Sequence, residues 1–103
     1  LAAARGLGDV YKRQVYNFIR GMSPSPCAYT FIGDKRLKVY FAVMTDITSD
    51  KPCGTVMNEN DLTVVCGDKK CIRFTDVQGE GGKRMNTASF LNGNKLQRDT
   101  VLN

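Results

Sequence analysis

The sequence predicts a small, mainly β domain, a closed or partly closed barrel with one or two short helices. Two observations favour this fold. Short runs rich in β-branched and aromatic residues recur along the chain, and residues typical of turns separate them at close spacing. The length of 103 residues allows one domain with a single modest core. An open sandwich of the same strands is the alternative.

The first 14 residues do not resemble the rest of the chain. They show no sustained hydrophobic period, and the string "GLGDVYKRQ" resembles translated sequencing adapter. We therefore expect residues 1–14 to be a non-native, artefactual segment, and the domain to cover residues 15–103. A genuine basic N-terminal extension is the alternative.

A short helix is predicted over residues 15–22. Apolar residues recur there at the i, i+3, i+4 and i+7 spacing of one helical face, namely Val15, Phe18, Ile19 and Met22. Pro24 and Pro26 end the helix, because each lacks a backbone donor and drives its preceding residue to extended geometry. Residues 23–26 are thus expected to form a stiff corner.

A hairpin follows the corner. The runs "CAYTFI" and "KRLKVYFAVM" have a period of two and are joined by the turn signal Gly33-Asp34. One face of the second run contains Leu37, Val39, Phe41 and Val43, and the other contains Arg36, Lys38, Tyr40 and Met44. We expect the first face to enter the core and the second to carry cations and an aromatic ring.

Three more short strands are predicted after a polar loop at 45–52. They are "CGTVMN", "LTVVC" and "CIRFTDV", separated by the turn segments "END" and "GDKK". A flexible glycine-rich loop is expected at 78–85 and a small helix at 86–93, with Asn86 as its N-cap and Gly93 as a left-handed C′ residue. The last ten residues are expected to form a strand or a tail.

The four cysteines are expected to be reduced and mostly buried. The spacing of "CGDKKC" differs from the C-x-x-C of metal and redox sites, and the chain has no histidine, so we expect no metal. The N-terminus does not resemble a signal peptide, which favours a reducing, cytoplasmic compartment. A Cys66–Cys71 bridge across a hairpin is the alternative.

Charge and missing motifs favour a binding function over catalysis. The net charge is +5, but removal of residues 1–14 leaves 12 basic and 9 acidic residues. The chain has no histidine, no P-loop and no apolar run of membrane-spanning length. We expect no catalytic residues, no membrane partner and a monomer.

A basic strand face is the candidate site. Arg36, Lys38 and Tyr40 lie on one predicted face, where cations can meet phosphates and a ring can stack. Lys83 and Arg84, in the predicted loop, could reach the same ligand. The alternative is that these charges only serve solubility and protect a strand edge.

The segments "NFIRGMSPSPCAYT", "KRLKVY", "GGKRMNTASFLNG" and "TVLN" together resemble the C-terminal domain of methionyl-tRNA formyltransferases. The similarity extends over residues 15–103. The positions that match the family's motifs are Ile19, Arg20, Gly21, Pro24, Pro26, Ala28, Leu37, Lys38, Met85, Phe90, Leu91 and Gly93. Two departures are Ser25-Pro26-Cys27 for the family's Trp-Pro-Gly, and Ser89 for its capping-box glutamate.

This resemblance implies an OB-like Greek-key barrel appended to an N-terminal catalytic domain that this sequence lacks. The full-length enzyme would transfer a formyl group from 10-formyltetrahydrofolate to initiator methionyl-tRNA, while this fragment would hold no cofactor and be inactive alone. The tRNA-binding residues would be Arg20, Lys35, Arg36, Lys38, Tyr40, Lys83 and Arg84. The alternatives are a structural module of another 10-formyltetrahydrofolate-dependent formyltransferase, and a free-standing OB module for single strands.

Overall fold

The computed structural model describes residues 11–23 and 27–102. Their elements, in chain order, are α1 (Lys12–Met22), β1 (Ala28–Ile32), β2 (Lys35–Thr48), β3 (Leu62–Val65), β4 (Lys70–Gly79), β5 (Arg84–Asn86) and α2 (Thr87–Gly93). The strands form one antiparallel sheet in the order β1-β2-β4-β3, with β5 also paired to β4. The sheet curls into a half-barrel, which confirms the expected mainly β, OB-like fold with two short helices.

The β1–β2 hairpin has the predicted two-residue turn. Gly33 adopts a φ of 62°, a left-handed conformation that glycine takes without steric cost. Ile32 therefore pairs with Lys35, and the same register sets Tyr29 opposite Lys38. The turn thus fixes which side chains of the two strands are neighbours.

A β-bulge at Tyr40 changes the faces of β2. Val39 pairs with Val77 and Phe41 with Asp76, so Tyr40 is an extra residue between two consecutive pairs. Phe41 and Val43 are consequently 54% and 45% exposed.

The predicted alternation along β2 is therefore wrong beyond Val39. Leu37 and Val39 point into the core as expected, but Ala42 takes the buried side where Phe41 was expected. An alternating sequence pattern does not reveal an inserted residue. One inserted residue moves the side chains that follow it to the opposite face of the strand.

Helix α1 begins three residues earlier than predicted. The backbone N–H of Tyr11 donates to Oε1 of Gln14 at 3.1 Å, and Nζ of Lys12 donates to the Thr45 carbonyl at 2.9 Å. Residues 12–14 thus form the first turn of α1. Whether the segment 1–14 is native stays a prediction, and residues 1–10 lie outside the described part, as do residues 24–26 of the expected corner.

The core lies between the concave face of the sheet and the two helices. Val15 and Ile19 of α1 are fully or almost fully buried, and Phe90 of α2 is 4% exposed. The buried cluster consists of Val15, Ile19, Ala28, Leu37, Val39, Ala42, Val56, Leu62, Val64, Cys66, Ile72, Phe74, Val77, Phe90, Leu91 and Leu102. Burial of this apolar surface is the main driving force for the fold.

Two expected connections have a different structure. Strand β2 continues to Thr48, so the first part of the predicted loop at 45–52 is strand. Residues 53–58 form isolated bridges in place of the predicted strand: Thr55 pairs with Val101, and Val56 pairs with Val64. Through the Thr55–Val101 bridge, the segment that follows α2 packs against the domain, and Leu102 is buried.

Helix α2 confirms the predicted N-cap and corrects the C-terminus. The side chain of Asn86 accepts a hydrogen bond from the Ser89 amide at 2.8 Å, as an N-cap should. Gly93 is the last residue of the helix, and Asn94 is its C-cap. The prediction of a left-handed Gly93 was wrong; Nδ2 of Asn94 donates instead to the Phe90 carbonyl at 3.1 Å.

The four thiols are free, and Cys27, Cys66 and Cys71 are buried. Burial raises the pKa of the Cys66 thiol to about 12, with a further contribution from the nearby Asp68. Burial also raises the pKa of Cys27, and the charge of Lys38 partly opposes this shift. Within the described ranges, no helix is long and apolar enough to cross a membrane.

Candidate nucleic-acid interface

A row of side chains crosses four strands on the convex face of the sheet. Tyr29 of β1 pairs with Lys38 of β2, Lys38 pairs with Gln78 of β4, and Gln78 pairs with Arg84 of β5. Directly opposed residues in a sheet point to the same side. The flanking Leu37 and Val39 are fully buried, so this row lies on the face away from the core. We call this row, together with Arg36, Phe31 and Tyr40, the convex patch. Lys35 is the first residue of β2 and alternates with Arg36, so it lies at the edge of this patch and not on its face.

Arg36 lies beside the row and contacts an aromatic pair. Phe31 is its cross-strand partner, and its guanidinium carbon lies 4.9 Å from the ring centroid of Tyr29. The rings of Tyr29 and Phe31 meet edge to face at 5.7 Å between centroids. Cations and rings thus alternate within the convex patch, an arrangement that suits phosphates and bases together.

Three cations on and beside the convex patch take part in no ion pair with a described carboxylate. The three are Lys35, Arg36 and Lys38. Glu80 is the nearest acidic contact, and its Oε1 accepts from the backbone N–H of Arg36 at 3.3 Å. Lys35 and Arg36 are exposed and Lys38 is half-buried, so all three can reach an anion in solvent.

Arg84 is bound more tightly within the protein than the sequence suggested. Its NH2 group lies 2.7 Å from Oδ2 of Asp76, and its guanidinium carbon lies 4.3 Å from the ring centroid of Tyr40. The hydrogen bond to Asp76 raises the pKa of Arg84. Arg84 belongs to β5, so the expected flexible loop over 78–85 was wrong at both ends.

Tyr40 is 8% exposed and lies beneath Arg84, with its hydroxyl 2.7 Å from Oε1 of Gln78. The ring is therefore covered, and its open surface is smaller than the strand pattern indicated. Its role as an RNA contact stays a prediction, as does that of Arg84.

Lys83 is an exposed residue of the turn between β4 and β5. Nε2 of Gln78 donates to the carbonyl of Gly82 at 2.9 Å and ties this turn to the convex patch. The turn places Lys83 next to Arg84, at the β5 edge of the sheet.

The sheet separates Arg20 from the other predicted site residues. It is an exposed residue of α1, whose Val15 and Ile19 pack in the core on the concave side. Its guanidinium carbon lies 5.5 Å from the ring centroid of Tyr16, and its Nη2 donates to Oδ1 of Asn17 at 3.2 Å.

Tyr29, Phe31 and Gln78 were missed from the sequence. A two-residue turn at Gly33-Asp34 sets the pairing of the whole hairpin, because each step away from the turn on one strand is matched by one step on the other. The sequence therefore already implied that Tyr29 faces Lys38 and that Phe31 faces Arg36. Gln78 depends on the pairing of β2 with β4, which the sequence does not indicate.

The convex patch has the groups for binding an anion. The chain has no histidine, and no cluster of three potential metal ligands occurs within residues 11–23 and 27–102. Lysine and arginine side chains beside aromatic rings bind phosphates and stack on bases. This arrangement makes the convex patch a candidate nucleic-acid interface.

Comparison with known proteins agrees with the fold. Residues 11–95 match the family described as the formyl transferase, C-terminal domain. A methionyl-tRNA formyltransferase of Bacillus cytotoxicus is 37% identical over 86 residues, which are 82% of this chain and 27% of that protein. The proteins of the same name from Bacillus thuringiensis and Bacillus mycoides are 34% and 35% identical over 91 residues, 86% of this chain and 29% of each relative.

The chain therefore spans less than a third of the length of these curated relatives. The family match, in contrast, covers most of the chain and includes α1, all five strands and α2. The chain belongs to the formyl transferase C-terminal domain family.

Proposed function

We propose that this domain binds initiator methionyl-tRNA through the convex patch and holds it for a catalytic domain joined to it in cis. The observation that carries the proposal is the set of three cations, Lys35, Arg36 and Lys38, which have no carboxylate partner among the described residues. Arginine and lysine side chains in such a state bind phosphates, and release of counterions from the RNA then supplies most of the affinity.

The contacts would set orientation more than sequence choice. Arg36 and Lys38 lie two residues apart on one face of β2, and Lys35 lies at the start of the same strand, so the three can contact neighbouring phosphates of a single backbone. A strand of rigid geometry fixes the angle at which the RNA leaves the domain. Orientation of the acceptor end is what a separate catalytic domain would need.

The proposed catalytic step would be carried out by a different domain and not by the residues described above. A formyl group would pass from 10-formyltetrahydrofolate to the amino group of the methionyl-tRNA, on residues outside this chain. The relatives' name supports this activity, and their greater length leaves room for a catalytic domain. We expect the 103-residue chain to be inactive alone, monomeric and cytoplasmic.

A binding titration tests the proposal. Labelled initiator tRNA is titrated with the full chain at several salt concentrations, and a duplex RNA and an unstructured single-stranded RNA of equal length serve as controls. We expect saturable binding that weakens steeply with salt and favours the tRNA. Absence of binding at low salt would favour a structural module of another formyltransferase, and preference for an unstructured strand would favour an OB module for single strands.

A further inference from the structure

A cavity of about 230 Å³ lies next to the convex patch, between the β1–β2 hairpin and the segment after α2. Its apolar lining includes Phe90 and Leu96, and its cationic lining consists of Lys35, Arg36 and Lys95. An apolar lining alone would favour a hydrophobic ligand, and cations alone would favour a free phosphate. Both in one cavity favour a ligand that has a flat apolar part and an anionic part.

We propose that this cavity holds one unpaired nucleotide of the bound tRNA, with the base on the apolar lining and its phosphate among the three cations. The inference rests on the proposed function and names the part of the RNA that is recognised. Base stacking on apolar or aromatic side chains is tolerant of sequence, since every base has a flat face. The cavity would therefore take an extruded nucleotide of any type.

A second groove shows where the RNA backbone would leave the cavity. It has a volume of about 170 Å³, and it shares Arg36 and Glu80 with the first while adding Lys38. The two are thus continuous along the strand that carries the cations. A backbone with its nucleotide in the cavity would continue along Lys38 of the convex patch.

Among the described residues that line the cavity, Glu80 has the only carboxylate, and it fits a nucleotide better than a free phosphate. Its Oε1 accepts from the Arg36 amide at 3.3 Å, so the carboxylate is held at the boundary of both grooves. A carboxylate repels an inorganic anion, but it accepts hydrogen bonds from an amino group of a base or a ribose hydroxyl.

Nuclear magnetic resonance titration of the full chain tests the cavity with adenosine monophosphate, uridine monophosphate, adenosine and inorganic phosphate. We expect both nucleotides to shift the amides of Gly79, Lys95 and Leu96 in a saturable way. Adenosine and phosphate should each bind at least about tenfold more weakly, because each lacks one part of the ligand. Equal binding of phosphate and nucleotide, or shifts confined to other regions, would overturn the proposal.

Variants of two lining residues, the exposed Lys95 and the partly buried Leu96, connect the cavity to tRNA. Lys95→Glu should weaken nucleotide binding at least about tenfold and tRNA binding severalfold, while Leu96→Ala should weaken nucleotide binding and leave phosphate binding unchanged. Arg98→Glu changes a nearby exposed charge outside the cavity and is the matched control. If the wild type binds tRNA and Lys95→Glu binds it equally well, the cavity proposal fails and the proposed function stands; if the wild type binds no tRNA, both fail.

Discussion

The guanidinium of Arg84 covers the ring of Tyr40, with 4.3 Å between the guanidinium carbon and the ring centroid. Asp76 holds the guanidinium from its other side at 2.7 Å. Two residues that the sequence predicts as RNA contacts are thus packed against each other. This stack connects β2 to the edge strand β5, so we assign it a structural role beside the free cations of the convex patch.

Replacement of Arg84 by glutamine tests this assignment. The change removes the ion pair with Asp76 and uncovers Tyr40, so the unfolding midpoint in urea should fall. Its effect on tRNA affinity should be smaller than that of Arg36→Gln, because Asp76 already compensates the charge of Arg84. A larger loss of tRNA affinity for Arg84→Gln than for Arg36→Gln would contradict the assignment.

Gly54 is expected to be intolerant of any side chain. Its φ is 89°, and a Cβ there would clash with the carbonyl oxygen of Leu102. Gly54→Ala should cost about 3 kcal/mol of unfolding free energy, measured by urea denaturation. Gly21→Ala is the matched control, since a Cβ at Gly21 meets nothing within 4 Å. It should stabilise α1 by about 0.5 kcal/mol, and equal effects of the two changes would refute the account.

The N-cap of α2 is a third test. Asn86→Ala removes the acceptor for the Ser89 amide, so the free energy of unfolding should fall by about 1 kcal/mol. Asn92→Ala, at an exposed position in the same helix, should change it by less than about 0.5 kcal/mol. Chemical denaturation of both variants measures these changes. An equal loss of unfolding free energy for Asn92→Ala and Asn86→Ala would show that the Asn86 cap does not stabilise the helix.

Stability should decrease at alkaline pH. The pKa of Cys66 is raised from 9.0 to about 12 in the folded state, so between these values the unfolded thiol loses its proton and the folded thiol keeps it. Stabilisation by Cys66 is therefore complete below pH 9 and is lost as the pH rises toward 12. Each pH unit in this range costs up to about 1.4 kcal/mol for this group.

Urea unfolding under reducing conditions at pH 8 to about 10.5 measures this slope. Cys66→Ala should show a shallower decline than the wild type, whatever its stability at pH 8. Parallel declines would mean that the Cys66 thiol ionises equally in both states.

Local features of the fold followed from the sequence, and features that depend on distant pairing did not. The β1–β2 turn needs a residue in the left-handed conformation, and the glycine at position 33 predicts it. The N-cap at Asn86 likewise depends only on residues within one helical turn. The bulge at Tyr40 arises from the match between β2 and β4, which are far apart in the chain, so strict alternation predicted the wrong side for Phe41.

The same reason limits the prediction of the site. Arg36 and Lys38 share a strand face with a short repeat, so the sequence placed them together. The compensation of Arg84 by Asp76 and the separation of Arg20 on the concave side depend on tertiary packing. Net charge likewise cannot tell which cations lack a carboxylate partner, and that distinction underlies the proposed function.

The most direct test of that function is the salt dependence of tRNA binding in the double variant Arg36→Glu/Lys38→Glu. Lys69→Glu/Lys70→Glu, two exposed residues on or next to the β3–β4 turn, is the control with the same change in net charge. We predict that the control keeps a salt slope close to that of the wild type. The convex-patch variant should bind far more weakly, with a slope shallower by about 1 to 2 in log Kd against log salt. Equal affinities and slopes for the two variants would show that net charge, and not the convex patch, attracts the RNA.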